Sequence, residues 1–396
     1  MNWQAYNPDW AFHTVLRARA ARWQRRGQLS PEQLAAIEAG YPLPYYQPVW
    51  PLRVGLFIFT WIGLTMMGVV LALITKGDAP FATGLVCCLA CFGVLELVIR
   101  ERRFYHAGAD NALLYAGLGI AAALIAYVFF EADNWNFSAV GLTSGFLPLT
   151  LGLIVMLAAV VRYADVLATF VAFITVLVLV LLAVLSIPPA LLLLPFVFMA
   201  TAGATLLGYR AIGRRLAGTA LADYYANCLL IVKLLALTLF YLGGNYLVVR
   251  EGYADLNHEF ASTQIPLAPL FYAFTAGIPL LYIVLGLRRA DRPTLLLGLL
   301  TLAFSFFTLR YYRSLMPPEI TAVAGGLVLT VAAGALLRYL RPARFGLTSL
   351  PDDEPRHFNL ENLIQAQTAH APGAPAADGF DFGGGQSGGG GATGNF

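Results

Sequence analysis

The sequence predicts an all-α membrane protein of about ten transmembrane helices, and three observations predict it. Hydrophobic residues make up 59% of the 396-residue chain and charged residues only 12%, about half the ~25% charged of soluble domains, which excludes a water-soluble globule. Ten apolar segments approach the ~20 residues that cross a bilayer: 54–75, 79–99, 111–130, 140–161, 166–187, 188–208, 226–249, 266–287, 293–309 and 319–340. The basic residues alternate with them. Twenty of the 25 Lys and Arg fall outside the even side of this ladder, leaving only Lys76, Arg250, Arg310 and Arg313 there and Lys233 within a span. That bias puts both termini on the cytoplasmic side of the membrane. Removing or adding one span breaks the alternation, although counts of eight and nine stay open.

Residues 1–50 are read as a cytoplasmic helical hairpin with a connector. Five arginines (Arg17, Arg19, Arg22, Arg25, Arg26) precede any long apolar run, which a secretory signal peptide does not do. Asn7-Pro8-Asp9-Trp10 has the grammar of an N-cap followed by proline. Phe12, Leu16, Ala20 and Trp23 then recur on one helical face, and Gly27 stops the helix. Ser30-Pro31-Glu32-Gln33 opens a second helix as a capping box, which Gly40 ends. The product has a basic, aromatic face suited to anionic headgroups or a protein partner, and a plain solvated helix pair fits as well. Tyr41 to Pro51 (YPLPYYQPVWP) is an extended connector into the interface.

The run GQLSPEQLAAIEAGYP, the Pro-rich aromatic stretch after it and Arg53-Val54-Gly55-Leu56-Phe57 together resemble the N-terminal segment of a bacterial family of multi-pass membrane proteins with a domain of unknown function. The likeness covers about the first seventy residues and the general layout, and it implies no activity.

Within the membrane domain, 51–342, Ser186-Ile187-Pro188-Pro189 is expected to turn the fifth span into the sixth. All four closed cytoplasmic loops end in Ala-Asp just before the next span, at Asp110, Asp165, Asp223 and Asp291. An aspartate there caps the incoming helix and meets its positive dipole end. A diverged hairpin repeat would produce the same pattern, but the spacing drifts. Residues 343–396 are a polar segment and a glycine-rich tail that buries too little apolar surface to order itself, with disorder expected from about 371.

Lys233 is the one cation inside an apolar run. A charge there costs ~2.5 kcal/mol or more at a bilayer centre, so it must face protein, water or headgroups. Two readings stand. Its stem snorkels back to the headgroups, or Glu96, at similar depth in the second span, neutralises it, although Glu96 also has Arg100 four residues on as its own partner. Asn227, Tyr224 and Tyr225 lie at the same end and would add polar groups to a cytoplasm-facing cavity, although tyrosines there also form ordinary interface belts. Asp255, His258 and Glu259 share a helical face compatible with a metal, yet one histidine among scattered carboxylates makes a solvated loop the better reading. Cys88 and Cys91 form a C-x-x-C at mid-span, where packing suits them better than redox chemistry.

Signatures of nucleotide hydrolysis, zincin proteolysis and serine hydrolysis are absent, and the basic clusters are juxtamembrane rather than nucleic-acid-binding. No cofactor is implied. The sequence therefore favours a non-catalytic scaffold or sensor whose cytoplasmic ends bind a protein partner. A small-solute transporter with a polar site near Lys233 comes second, and a lipid-acting integral enzyme third, since no paired acid and base stand at one membrane face.

Overall fold

The computed structural model describes residues 3–130, 145–187, 193–257, 262–265, 267–312, 318–339 and 341. The glycine-rich tail, the Glu131 to Asn136 loop, the Pro188-Pro189 turn, His258 and Glu259 lie outside them. Among the described residues there are fourteen helices and no strand, the one β-bridge pairing Tyr46 with Phe104. The chain is a multi-pass α-helical membrane protein, and among the described residues nine helices are long and apolar enough to cross a bilayer.

Two short helices come first, α1 (Pro8–Arg25) and α2 (Pro31–Gly40). Their caps follow the local grammar. The Asn7 side chain accepts from the Asp9 amide, and Ser30 and Gln33 form a reciprocal capping box. Arg17 pairs with Glu38 at 3.4 Å, and the His13 ring meets the Pro42 carbonyl at 2.9 Å, which folds the hairpin and its connector together.

The spanning helices are α3 (Trp50–Ile74), α4 (Pro80–Arg102), α5 (Ala109–Phe130), α6 (Phe146–Tyr163), α7 (Val166–Leu185), α8 (Leu194–Leu216), α10 (Ala226–Gly244), α12 (Ala268–Arg288) and α13 (Arg292–Tyr312). Between them lie the short α9 (Ala220–Tyr224) and α11 (Tyr246–Leu256), and α14 (Pro318–Tyr339) closes the described bundle. The apolar part of α14, Gly325–Tyr339, is shorter than the other nine.

The packing is uneven. The closest-packed neighbours are α4 with α5, α6 with α7, α8 with α10, and α12 with α13, the four pairs whose connections carry Ala-Asp. Small residues permit the tightest of these approaches. A Cβ added to Gly286 would sit 2.7 Å from the Leu295 amide nitrogen, and one on Gly298 would meet Ile283 at 2.9 Å. At Gly108, with φ +102°, an added Cβ would fall 2.1 Å from the Arg53 carbonyl oxygen, so the α4–α5 connection lies directly against the first turn of α3.

The structure corrects one span. The segment 226–249 is not continuous: α10 ends at Gly244, and Asn245 leaves helical geometry (φ −80°, ψ 124°) to cap α11, accepting from the Leu247 and Val248 amides. Both pieces are apolar, so hydropathy reads across the break. Its physical cause is a buried polar chain. The Asn245 amide donates to Tyr241 Oη (2.9 Å), that hydroxyl to Ser305 Oγ (2.8 Å), and Ser305 to the Thr275 carbonyl (2.6 Å). All four residues are at most 3% exposed, so each polar group is satisfied within the bundle rather than by lipid.

Candidate functional site

The residues of most chemical interest gather where α1 meets the ends of α4, α5, α6 and α10, referred to below as the hairpin end. The link Arg162-Tyr163-Ala164-Asp165 organises it. Ala164 takes a left-handed conformation (φ 49°) that terminates α6, and Asp165 at once caps α7, accepting from the Ala168 amide at 2.8 Å. A helix C-terminus leaves its last carbonyls without intrahelical partners. Here Val161 O accepts the Tyr225 hydroxyl (2.5 Å), while Arg162 O accepts both the Tyr224 hydroxyl (2.6 Å) and the Ala5 amide (2.8 Å).

The Arg162 side chain turns back across the bundle. Its Nε donates to Glu96 Oε1 at 2.6 Å and its Nη1 to the Trp3 carbonyl at 3.1 Å. Tyr163 Oη donates to the same Glu96 oxygen at 2.8 Å, and Arg100 Nη2 stands 3.7 Å from the other. Arg162 thus joins α4, α6 and the N-terminal arm.

The arm itself is anchored by Tyr6, 2% exposed, whose hydroxyl donates to Asp110 Oδ2 at 2.8 Å. Asp110 is fully buried, and its other oxygen accepts from the Gly108 and Asn111 amides, both at 3.0 Å. Asp165 likewise accepts the Tyr115 hydroxyl at 2.9 Å. Tyr6, Trp10, Tyr45, Tyr105 and His106 pack edge-on or tilted with centroids 4.9–6.0 Å apart. Burial, then the Asp110 charge, raises the Tyr6 hydroxyl well above its ordinary pKa; burial followed by Tyr45 pushes Tyr105 up to about 12; burial followed by Tyr225 raises Tyr224. These hydroxyls are therefore fixed neutral donors at physiological pH.

Glu96, Tyr224 and Tyr225 do come together, around Arg162. Lys233 does not join them. Its ammonium pairs with Asp291 at the start of α13, the same carboxylate that accepts Thr294 Oγ1 at 2.8 Å. Side-chain exposures of 13% and 24% put the pair inside the bundle. Lys233 therefore pairs with Asp291 and not with Glu96, because its α10 face is turned toward the α12–α13 connection while Glu96 faces α6. Asn227 is exposed and adds nothing to either cluster.

The four Ala-Asp sequences also divide. Asp165 caps in the expected way, and Asp291 stands in the same position after a left-handed Ala290 (φ 52°). Asp110 lies within the first turn of α5 rather than before it. Asp223 caps nothing, since it is absorbed into α9, and α10 begins at Ala226, after Tyr225, without a side-chain cap. Three of the four carboxylates have a second role that capping does not imply, each accepting a donor from a distant helix or arm: Tyr6, Tyr115 and Lys233.

Cys88 and Cys91 are buried, with the Cys88 thiol 3.5 Å from the Gly117 carbonyl. Asp255 lies at an apolar cavity of about 370 Å³ at the opposite end of the bundle. Among the described residues no group of three His, Cys, Asp or Glu is placed to hold a metal.

No family model, no curated protein and no solved structure matches the chain. Its functional reading therefore rests on its own geometry. Sequence reasoning missed Arg162, which had been counted only as a topogenic charge, and the arm residues Trp3, Ala5 and Tyr6. One signal for Arg162 was present, since it is the only cation in a connection between apolar segments too short to carry it away from the helices.

Proposed function

We propose that the protein is a non-catalytic scaffold or sensor of the bacterial inner membrane, belonging to the uncharacterised multi-pass family that its N-terminal segment resembles. In this reading α14 is a tenth span, the hairpin end is cytoplasmic and so is the tail. The observation that carries the proposal is the seating of the hairpin. One side is fixed to the bundle through Tyr6, Trp10 and Ala11, all at most 9% exposed and clustered with Ile99, Tyr163 and Tyr224. Phe12, Arg19, Trp23 and Arg26, spaced by seven, four and three residues, are exposed along the other side. Aromatic residues and arginine are the types enriched at protein interfaces, and holding them rigidly lowers the entropic cost of binding. The face suits an acidic partner surface.

The break at Asn245 favours the second reading, a small-solute transporter, because interrupted helices build the sites of inverted-repeat carriers. One pair of experiments separates the readings. A photo-crosslinking residue at Trp23 in intact cells gives a discrete adduct with another protein if the hairpin is a docking platform. Purified protein in liposomes then swells in sugars, amino acids and salts no faster than empty liposomes. Solute-selective swelling overturns the scaffold reading.

A further inference from the structure

A cavity of about 440 Å³ lies between α4, α5 and α6, within the ~300–1,000 Å³ of ligand sites. Its walls are apolar: Phe92, Leu118, Ile154, Val155 and Ala158. Ile154 is 57% exposed and Ala158 is also exposed, so the slot opens sideways, where lipid would lie. Its polar end holds Glu96, Arg162 and Tyr163. Glu96 is the only carboxylate among those lining residues, and Arg162 and Tyr163 already donate to it. Arg100 is a different case. At 3.7 Å from Glu96 it is beyond hydrogen-bond reach, and its side chain is 73% exposed, so its planar fork of donors faces outward. The run Arg100-Glu101-Arg102-Arg103 adds further positive charge at the same end of α4. The result is a dry slot with a cationic surplus at its mouth.

We propose that this cavity holds an acyl chain of an anionic phospholipid, whose phosphate sits against Arg100 and the outer edge of Arg162. Apolar walls reject a polar solute, and the surplus charge selects a headgroup of net negative charge over a zwitterionic one. Arg162 also binds the Trp3 carbonyl, which places the headgroup beside the N-terminal arm. The lipid site is independent of what the hairpin binds. Solute flux in the liposome assay would remove the scaffold reading and leave lipid retention untouched.

The test is native mass spectrometry of protein released from nanodiscs of mixed phosphatidylglycerol and phosphatidylcholine. Wild-type protein retains one phosphatidylglycerol in preference to phosphatidylcholine by about fivefold, the scale of one juxtamembrane arginine. Arg100→Gln abolishes the preference while keeping a bound lipid, and Ala158→Phe, which fills the slot, loses both lipids. Both substitutions are at exposed positions, so wild-type melting temperatures are expected and checked. Equal retention of the two lipids by wild type overturns the proposal. So does unchanged phosphatidylglycerol retention in Ala158→Phe, or displacement of the lipid by inorganic phosphate alone, which would mark an ion site.

Discussion

Lys233→Met lowers the melting temperature of the purified protein by a few degrees, and the double variant Lys233→Met, Asp291→Asn recovers most of the loss. The single change leaves the Asp291 carboxylate, only 24% exposed, without its cation and with Thr294 as its remaining side-chain donor. Partly buried pairs fall between exposed ones, worth ~0–1 kcal/mol, and buried ones, whose breaking costs ~3–5 kcal/mol, so a loss of ~1–3 kcal/mol is expected. Asparagine in the double variant removes the uncompensated charge yet still caps α13. The pH dependence follows from Asp291. Burial pushes its carboxyl up, but the hydrogen bonds from Lys233 and Thr294 outweigh that and hold it below the ordinary range. A depressed carboxylate contributes stability above its unfolded pKa and loses it as pH falls through the folded value. The gap between wild type and Lys233→Met is therefore constant near neutrality and closes in acid below the usual carboxylate range. Equal melting temperatures at neutral pH would mean that the pair contributes nothing.

Tyr6→Ala detaches the N-terminal hairpin while leaving the bundle folded. The substitution removes a nearly fully buried aromatic ring, a loss of ~3–5 kcal/mol, and strips Asp110 of the hydroxyl it accepts. The arm's other bonds to the bundle include Ala5 N–H to Arg162 O and Arg162 to Trp3 O, and the connector is held by Tyr46 N–H to Arg103 O and Tyr105 N–H to Tyr46 O; at a net ~1 kcal/mol each such bonds do not replace a buried ring. Hydrogen exchange across residues 5–25 should accelerate about a hundredfold or more, with bundle amides unaffected. Tyr6→Phe keeps the ring and lacks only the donor, costing ~1–3 kcal/mol, and gives an intermediate acceleration. Since the folded state raises the Tyr6 pKa, docking is insensitive to pH through neutrality and weakens only once alkali ionises the phenol. Unchanged exchange in Tyr6→Ala would show that the hairpin is held elsewhere.

Local signals carried much of the fold. Asn7 and the Ser30/Gln33 box needed no tertiary information, because a cap is satisfied within four residues. Nine of the ten expected spans were legible from length and hydropathy, while the tenth segment holds a shorter apolar helix. What escaped depends on which helix faces which. The depth of Lys233 was readable; its partner, 58 residues on, was not, since Asp291 already had a sufficient local role as a cap. Of the two cations offered to Glu96, Arg100 four residues on does pair with it and Lys233 does not, while Arg162, its closest partner, lay among the charges read only as topogenic. Asn245 was invisible as a helix break for a different reason: its side-chain partners Tyr241 and Thr308 come from two helices, and nothing in an apolar window announces a buried network.

The central claim is that residues 3–10 lie against the α6–α7 link, and a photo-crosslinker at position 5 in intact membranes tests it most directly. The expected adducts are intramolecular and map by mass spectrometry to residues 158–165 or 220–229, the segments around Arg162 O and Tyr224. Adducts confined to lipid or to other proteins, with normal expression and a normal melting temperature, would contradict the docked arm and the scaffold reading built on it.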